Sequence, residues 1–303
     1  MAVAILGGLY RLVRWIVETQ RQRRLGAGGQ TPFKILPPGS NLLPILLPDS
    51  VNTPLSDYNI PYLERQPGRS VRRETEDLLR EKGALLVCGR SGLGKTREAA
   101  HLAQTLNGEG WTVLYLPPEA WLEPPTRLPQ DIPSRKLLLF LDDLGRRCYS
   151  GRREVNPRAD SLAQPLLLPF QERLLKTMEA FETFYGRSEI LILATARDER
   201  APEYENEPAE WDKLEWERYP ALWQRFACYD LPEPDPAVAA QLLEERGQAA
   251  GVCVEEAETL ARRNDGTLRN LIENLRSAAN PERGLPALTP QTFRDTLRGT
   301  WQE

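Results

Sequence analysis

The segment ALLVCGRSGLGKT, residues 84–96, constrains this chain more than any other. An apolar run ends at Gly89, and Gly89-Arg90-Ser91-Gly92-Leu93-Gly94-Lys95-Thr96 follows, matching G-x-x-x-x-G-K-[ST] in full. An apolar run of that length suits a strand covered on both faces. After Lys95, the residues Ala99, Leu102, Ala103 and Leu106 recur at helical spacing. Between strand and helix, glycines let the backbone wrap closely, so successive N–H groups form an anion nest at a helix N-terminus. Strand, glycine loop and helix together predict a phosphate-binding site. Lys95 is placed to reach β- and γ-phosphates and the Thr96 hydroxyl to ligate Mg²⁺, so the expected cofactors are ATP and Mg²⁺.

The rest of the chain narrows the chemistry. His101 is the only histidine, which removes Ser-His-Asp triads, Cys-His pairs and multi-histidine metal sites. The 4 cysteines are scattered, with no C-x-x-C pair, which fits a reducing, cytoplasmic setting. Net charge is −4, so no global basic field draws the chain to nucleic acid. With 303 residues, the chain has room for a sizeable core and a smaller appended domain.

Further apolar runs at 112–116, 136–141, 190–195 and 226–231 alternate with helical patterns. This predicts an α/β fold with a parallel sheet flanked by helices. Beyond Leu231, helical patterns at 237–246, 254–263 and 267–279, then a helix start at Thr289-Pro290, predict a small all-helical lid domain. The expected divisions are an N-terminal amphipathic helix (1–24), a Pro/Gly-rich linker or strap (25–60), the core (61–232) and the lid (233–303). The first helix has an apolar side bearing Ile5, Leu9, Leu12, Val13 and Ile16, opposite Arg11, Arg14 and Glu18. Two readings follow: a helix docked on protein, or one lying on a membrane surface.

Two more segments carry chemistry. In Leu137-Leu138-Leu139-Phe140-Leu141-Asp142-Asp143, an apolar strand ends in acids. Asp142 is expected to hold Mg²⁺ through its water shell and Asp143 to polarise the attacking water. The strand ending Thr195-Ala196-Arg197 offers Thr195 or Arg197 as a γ-phosphate sensor, with a plain surface arginine as the alternative for Arg197. Arg225, before the last strand, and Arg269, at the start of a lid helix, are candidates for stabilising phosphate charge, the first across a subunit boundary.

From about Pro61 onward these motifs resemble the AAA+ ATPases, and especially their STAND signalling branch. The resemblance rests on 89–96, 137–143, the Thr195-x-Arg197 ending, 222–226 as an arginine-finger box, and Gly266-Thr267-Leu268-Arg269 as a second sensor. Tyr62-Leu63-Glu64-Arg65 is similar to the segment that contacts adenine, which implies Tyr62 as a base contact. Gly266-Thr267-Leu268 departs from the G-x-P lid signature of that branch. The resemblance implies a slowly hydrolysing ATP switch that couples nucleotide state to self-association or a protein partner. Alternatives are a nucleic-acid loader, motivated by Arg146, Arg147, Arg152, Arg153 and Arg158, and a scaffold that binds ATP without hydrolysing it.

Overall fold

The computed structural model describes residues 31–47, 55–56, 59–60, 62–117, 128–145, 169–186, 188–199, 209, 211–264, 267–279, 287–290 and 292–293. In chain order the elements begin with β1 (Lys34–Leu36), α1 (Leu43–Leu46), α2 (Val71–Lys82), β2 (Ala84–Gly89), α3 (Lys95–Gly108) and β3 (Thr112–Leu116). Then come β4 (Lys136–Leu141), α4 (Phe170–Phe184), β5 (Glu189–Arg197), α5 (Pro220–Trp223) and β6 (Ala227–Asp230). The C-terminal part contains α6 (Pro236–Ala250), β7 (Cys253–Val254), α7 (Ala257–Arg263), α8 (Leu268–Ala278) and β8 (Ala287–Leu288). The expected helix at 1–24 and the arginines between 146 and 158 lie outside the described residues.

The main sheet has six strands in the order β1-β3-β4-β5-β2-β6. All neighbours from β3 to β6 pair in parallel, as the alternation of strands and helices predicts. The apolar runs of β2, β3, β4 and most of β5 are buried on both faces, whereas the edge strand β6 is half-buried to exposed; the period-two geometry of a strand divides the buried runs. Leu86, Leu137, Leu139 and Ile192 point to a layer with Phe170, Leu174, Met178 and Phe181 of α4. Leu85, Val87, Leu138 and Phe140 point to a layer with Val71 and Leu79 of α2 and Leu102 and Leu106 of α3.

The helices begin and end where their local chemistry dictates. The Ser70 hydroxyl caps α2 by accepting Arg73 N–H at 3.4 Å, and Gly83, at φ 76°, closes its other end. The Asp235 carboxylate caps α6 by accepting Ala237 N–H at 2.8 Å, with proline at the first turn. The C-terminal helices have a core of their own, which includes Leu242, Leu243, Leu260, Leu271 and Leu275.

Two features differ from expectation. In 25–60, the segment expected as linker or strap, β1 pairs antiparallel with β3, and Leu42, Leu46 and Leu47 are buried against the α3 face. Its path is held by polar side chains of α3. Leu42 N–H donates to Gln104 Oε1 at 2.6 Å, and Asn107 Nδ2 donates to Pro37 O at 2.9 Å. A three-residue edge strand with one buried side chain leaves no periodicity to read. The C-terminal region also holds a two-stranded parallel pairing of β7 with β8, again too short to mark itself in the sequence.

Candidate phosphate and metal site

The site forms at the C-terminal edge of the parallel strands. Because β5 lies between β2 and β4, the glycine loop and the two acids leave strands that are not neighbours. The end of β5 fills the gap between them, so three loops converge on one cleft of about 670 Å³. Its walls include Gly92, Gly94, Lys95, Thr96, Asp142, Asp143, Thr195 and Arg197 from the core. Leu268, Arg269, Ile272 and Arg276 of α8 face them.

The loop conformation needs glycine at two positions. Gly92 and Gly94 have φ of 74° and 93°, in the left-handed region. A Cβ on Gly92 would lie 3.0 Å from Arg269 Cβ, and one on Gly94 would lie 2.9 Å from an Arg65 guanidinium nitrogen. The first contact shows how closely the C-terminal helices approach the loop: Arg269 N–H donates to Gly92 O at 3.1 Å. The second comes from Arg65, a buried arginine at the end of the 62–65 segment. Arg65 donates to Leu93 O at 2.8 Å and pairs with the buried Glu98 carboxylate at 3.6 Å. Burial pushes the Arg65 guanidinium down and the Glu98 carboxyl up, each opposed by the partner's charge.

The polar centre is one small knot. Asp142 Oδ1 accepts both the Thr96 hydroxyl at 2.8 Å and the Thr195 hydroxyl at 2.7 Å. Thr195 in turn accepts the Asp143 N–H at 2.9 Å. That bond holds Asp143 at φ 50°, a strained position for a residue with a side chain. Arg197 lies 3.6 Å from the Asp143 carboxylate, and both are about a quarter exposed. Asp143 Oδ1 is buried with no hydrogen-bond partner among the described residues. Lys95 Nζ donates to Arg90 O at 2.7 Å. Desolvation holds the Lys95 ammonium below its ordinary value, against the pull of Glu199, Asp143 and Asp198, with Arg197 adding to the depression.

These residues fit the expected groups. The glycine loop and Lys95 suit phosphate, while a threonine hydroxyl beside an aspartate, with a second acid holding an orphaned oxygen, suits a divalent ion. Of the two sensor candidates, Thr195 is buried and spends its hydroxyl on the acids, whereas Arg197 faces the cleft.

Two expected site residues lie elsewhere. The Tyr62 hydroxyl donates to Glu98 at 2.9 Å, and its ring packs between the Arg72 guanidinium at 3.8 Å and His101 at 5.3 Å. It borders a recess of about 30 Å³ with Leu63, Val238, Leu242 and Leu268 that adjoins the cleft and is too small for a purine. Arg225 precedes β6, at the edge of the sheet opposite the glycine loop, and both oxygens of Glu182 accept its guanidinium at 2.6 Å. It therefore has no path to the phosphate loop of its own chain.

The lid helix α8 is set by a buried asparagine series that the sequence pattern does not reveal. The Thr267 hydroxyl caps α8 by accepting Asn270 N–H at 3.3 Å, and Asn264 Nδ2 donates to Thr267 O at 2.9 Å. Asn270 donates to Asn264 Oδ1 at 2.9 Å, and Asn274 donates to Asn270 O at 2.9 Å. In sequence these are ordinary polar residues on a helix, and only packing turns them inward.

No family model matches the sequence, and neither does any curated protein. Among solved structures, the chain is similar to a closed-state Hsp104 with ATPγS and casein, at 15% identity and a TM-score of 0.48. That likeness covers 77% of this chain and 42% of the Hsp104 chain. It is also similar to a variant of Thermotoga maritima RuvB, at 16% identity over 78% of this chain and 70% of that one, with a TM-score of 0.45. A katanin structure is similar at 17% identity over 65% of this chain and 57% of that one, with a TM-score of 0.36. The chain thus spans less than half of the Hsp104 chain and under two thirds of the katanin chain. Likeness at this level carries no function with it, and the site is read from its own residues.

Proposed function

We propose that this protein is an AAA+-type switch ATPase that binds ATP with Mg²⁺ in the cleft between the sheet edge and α8. The observation that carries the reading is the convergence of Thr96 and Thr195 on one oxygen of Asp142, with Lys95 in the same cleft. A hydroxyl and a carboxylate suited to a divalent ion, beside a glycine loop suited to phosphates, support this reading. A bound Mg²⁺ supplies charge neutralisation for a transferring phosphoryl group. The remaining work falls to the chain's own groups. Loop N–H groups and Lys95 orient the phosphates, Asp143 accepts a hydrogen bond from the attacking water, and Arg197 and Arg269 stabilise developing charge from opposite walls. Asp143 has a shorter arm than a glutamate and is drawn toward Arg197, which favours slow turnover and hence a switch.

The base occupies the apolar end of the cleft by Ile60, Leu242 and Leu268, and Tyr62 reaches it only if the neighbouring recess opens. The output of the switch is self-association or binding of a protein partner, as in STAND-like signalling. Arg225 serves a neighbouring copy in this reading, after leaving Glu182. No helix among the described residues is long and apolar enough to cross a membrane; the amphipathic pattern of residues 1–24 supports the membrane-surface alternative.

Two measurements test the reading. Lys95→Ala should weaken ATP binding in a direct titration by roughly 10- to 100-fold, the worth of a hydrogen bond to a charged group. Unchanged affinity would remove the site. Asp143→Asn should leave ATP affinity within about threefold while phosphate release falls about a hundredfold, the low end of what general-base catalysis contributes. Equal release from both proteins, at the rate of a protein-free control, would make the chain a nucleotide-stabilised scaffold.

A further inference from the structure

One carboxylate at the glycine loop has no part in the mechanism above. Glu199 lies two residues beyond the end of β5, on a short segment tied at both ends to ordered backbone. Asp198 N–H donates to Gly89 O at 3.3 Å, and Trp211 N–H donates to Glu199 O at 3.1 Å. From this segment one Glu199 oxygen accepts the N–H of Ser91 in the glycine loop. Its other oxygen is buried without a hydrogen-bond partner among the described residues. Ser91 adjoins Arg90, whose carbonyl holds the Lys95 ammonium at 2.7 Å. Glu199 therefore sits at the end of the loop where Lys95 is, and Lys95 is the group that reaches the β- and γ-phosphates of a bound nucleotide. Among the carboxylates that draw on Lys95, Glu199 acts more strongly than Asp143 or Asp198.

An anion held by a loop built for anions has two consequences. It satisfies a loop N–H and part of the Lys95 charge, which steadies the loop in the absence of ligand. It also brings a negative charge to the Lys95 end of the glycine loop, and a terminal phosphate drawn to Lys95 is repelled by it. A nucleoside diphosphate lacks that phosphate, and a triphosphate carries it.

We propose that Glu199 is a latch on the phosphate loop that the terminal phosphate of ATP must displace, so that it lowers affinity for ATP more than for ADP. This inference rests on the nucleotide-site reading and adds to it a device that tells the two nucleotides apart. Displacement moves Glu199 away from Ser91 and pulls on Trp211, which stacks on Trp216 at 4.6 Å and through it reaches Trp223 at 4.9 Å. The latch thus connects phosphate occupancy to the aromatic packing under α5.

The test measures ATP and ADP affinity of the full chain, of Glu199→Gln and of Lys95→Ala by direct titration. Glu199→Gln should raise ATP affinity on the order of tenfold, the worth of a charge-assisted hydrogen bond, and ADP affinity by less than about threefold. Glu199→Ala, which removes the acceptor altogether, should give the same change in the ATP-to-ADP ratio and serves if the glutamine variant is misfolded by circular dichroism. An unchanged ratio in a folded variant overturns the latch. A fall in phosphate release with unaltered affinities also overturns it, since Glu199 would then act on water and not on binding. If the unmodified chain binds neither nucleotide, the site reading itself fails. If it binds both and Lys95→Ala does not, the site stands and the ratio alone decides the latch.

Discussion

The two walls of the cleft are built on different principles. On the core side, Lys95, Thr96, Asp142 and Thr195 sit at the ends of elements whose side chains are buried on both faces of the sheet. Apolar packing brings these strand ends together, and the polar knot at Asp142 adds precision to a placement already made. On the lid side, Arg269 sits on a helix that buries Leu271, Ile272 and Leu275 in a separate, smaller apolar core, and whose start is fixed by a chain of asparagine hydrogen bonds and one backbone bond to Gly92. Burying amides this way stabilises only while each finds its partner, because an unpaired buried amide costs about 1–3 kcal/mol. The core wall is thus held by a sheet buried on both faces, and the lid wall by a smaller apolar core to which a few polar contacts add the placement of Arg269. The bond between Arg269 and Gly92 is where the C-terminal helices meet the glycine loop.

The sharpest way to break this contrast is to remove the middle of the asparagine series. Asn270→Ala should destabilise the C-terminal helices by about 1–3 kcal/mol, since it leaves Asn264 Oδ1 without its donor and takes from Asn274 the second of its two acceptors on residue 270, the backbone O remaining. Hydrogen exchange should show the loss in α6 and α8 amides while those of β2 and β4 stay protected. Uniform loosening of both regions would mean that lid and core form one cooperative unit.

A smaller effect is expected where the walls touch. Gly92→Ala sets a Cβ against Arg269 and Thr267 and puts alanine at φ 74°. The left-handed conformation alone costs roughly 1–2 kcal/mol, so ATP affinity should fall about tenfold while the melting temperature of the core changes little. If affinity held, the lid would not close on this loop.

The smallest effect is a pH slope. Burial holds the His101 imidazole well below its ordinary 6.5, at about 4, with Arg97 and Arg72 adding to the depression. Its neutral form is therefore the folded one. As pH falls from 6.5 toward 4, the unfolded chain takes up a proton that the folded chain does not, and stability declines. In His101→Gln, the denaturation midpoint should vary less across that window than in the unmodified protein. Comparing the two proteins isolates the imidazole from Glu98, which burial holds above its ordinary value and which acts with the opposite sign. Parallel profiles would show that His101 is hydrated.

Residues that act through local geometry were legible from sequence. The glycine loop, its strand and helix, and the acids after 137–141 all declare themselves within a dozen residues, because backbone conformation and burial period are short-range properties. Arg197, Tyr62 and Arg225 illustrate where that reach stops. Each follows or precedes a readable element, yet its partner lies on a distant one: Asp143 for Arg197, Glu98 for Tyr62 and Glu182 for Arg225. Arg65 and Glu199 show the same limit from the other side, since nothing in their immediate neighbours marks them as touching the loop.

By itself, then, the sequence determined an α/β core with a glycine loop between strand and helix, followed by a largely helical region, since its apolar runs and glycines mark those elements locally. Tertiary structure alone decided that β5 lies between the loop and the acid strand, that Thr195 joins the two acids, and that a strap adds an edge strand to the sheet. It also decided that Glu199 rests on Ser91. The physical reason is the same throughout: pairing order and buried polar contacts depend on which surfaces meet, and that choice is made by packing over the whole molecule.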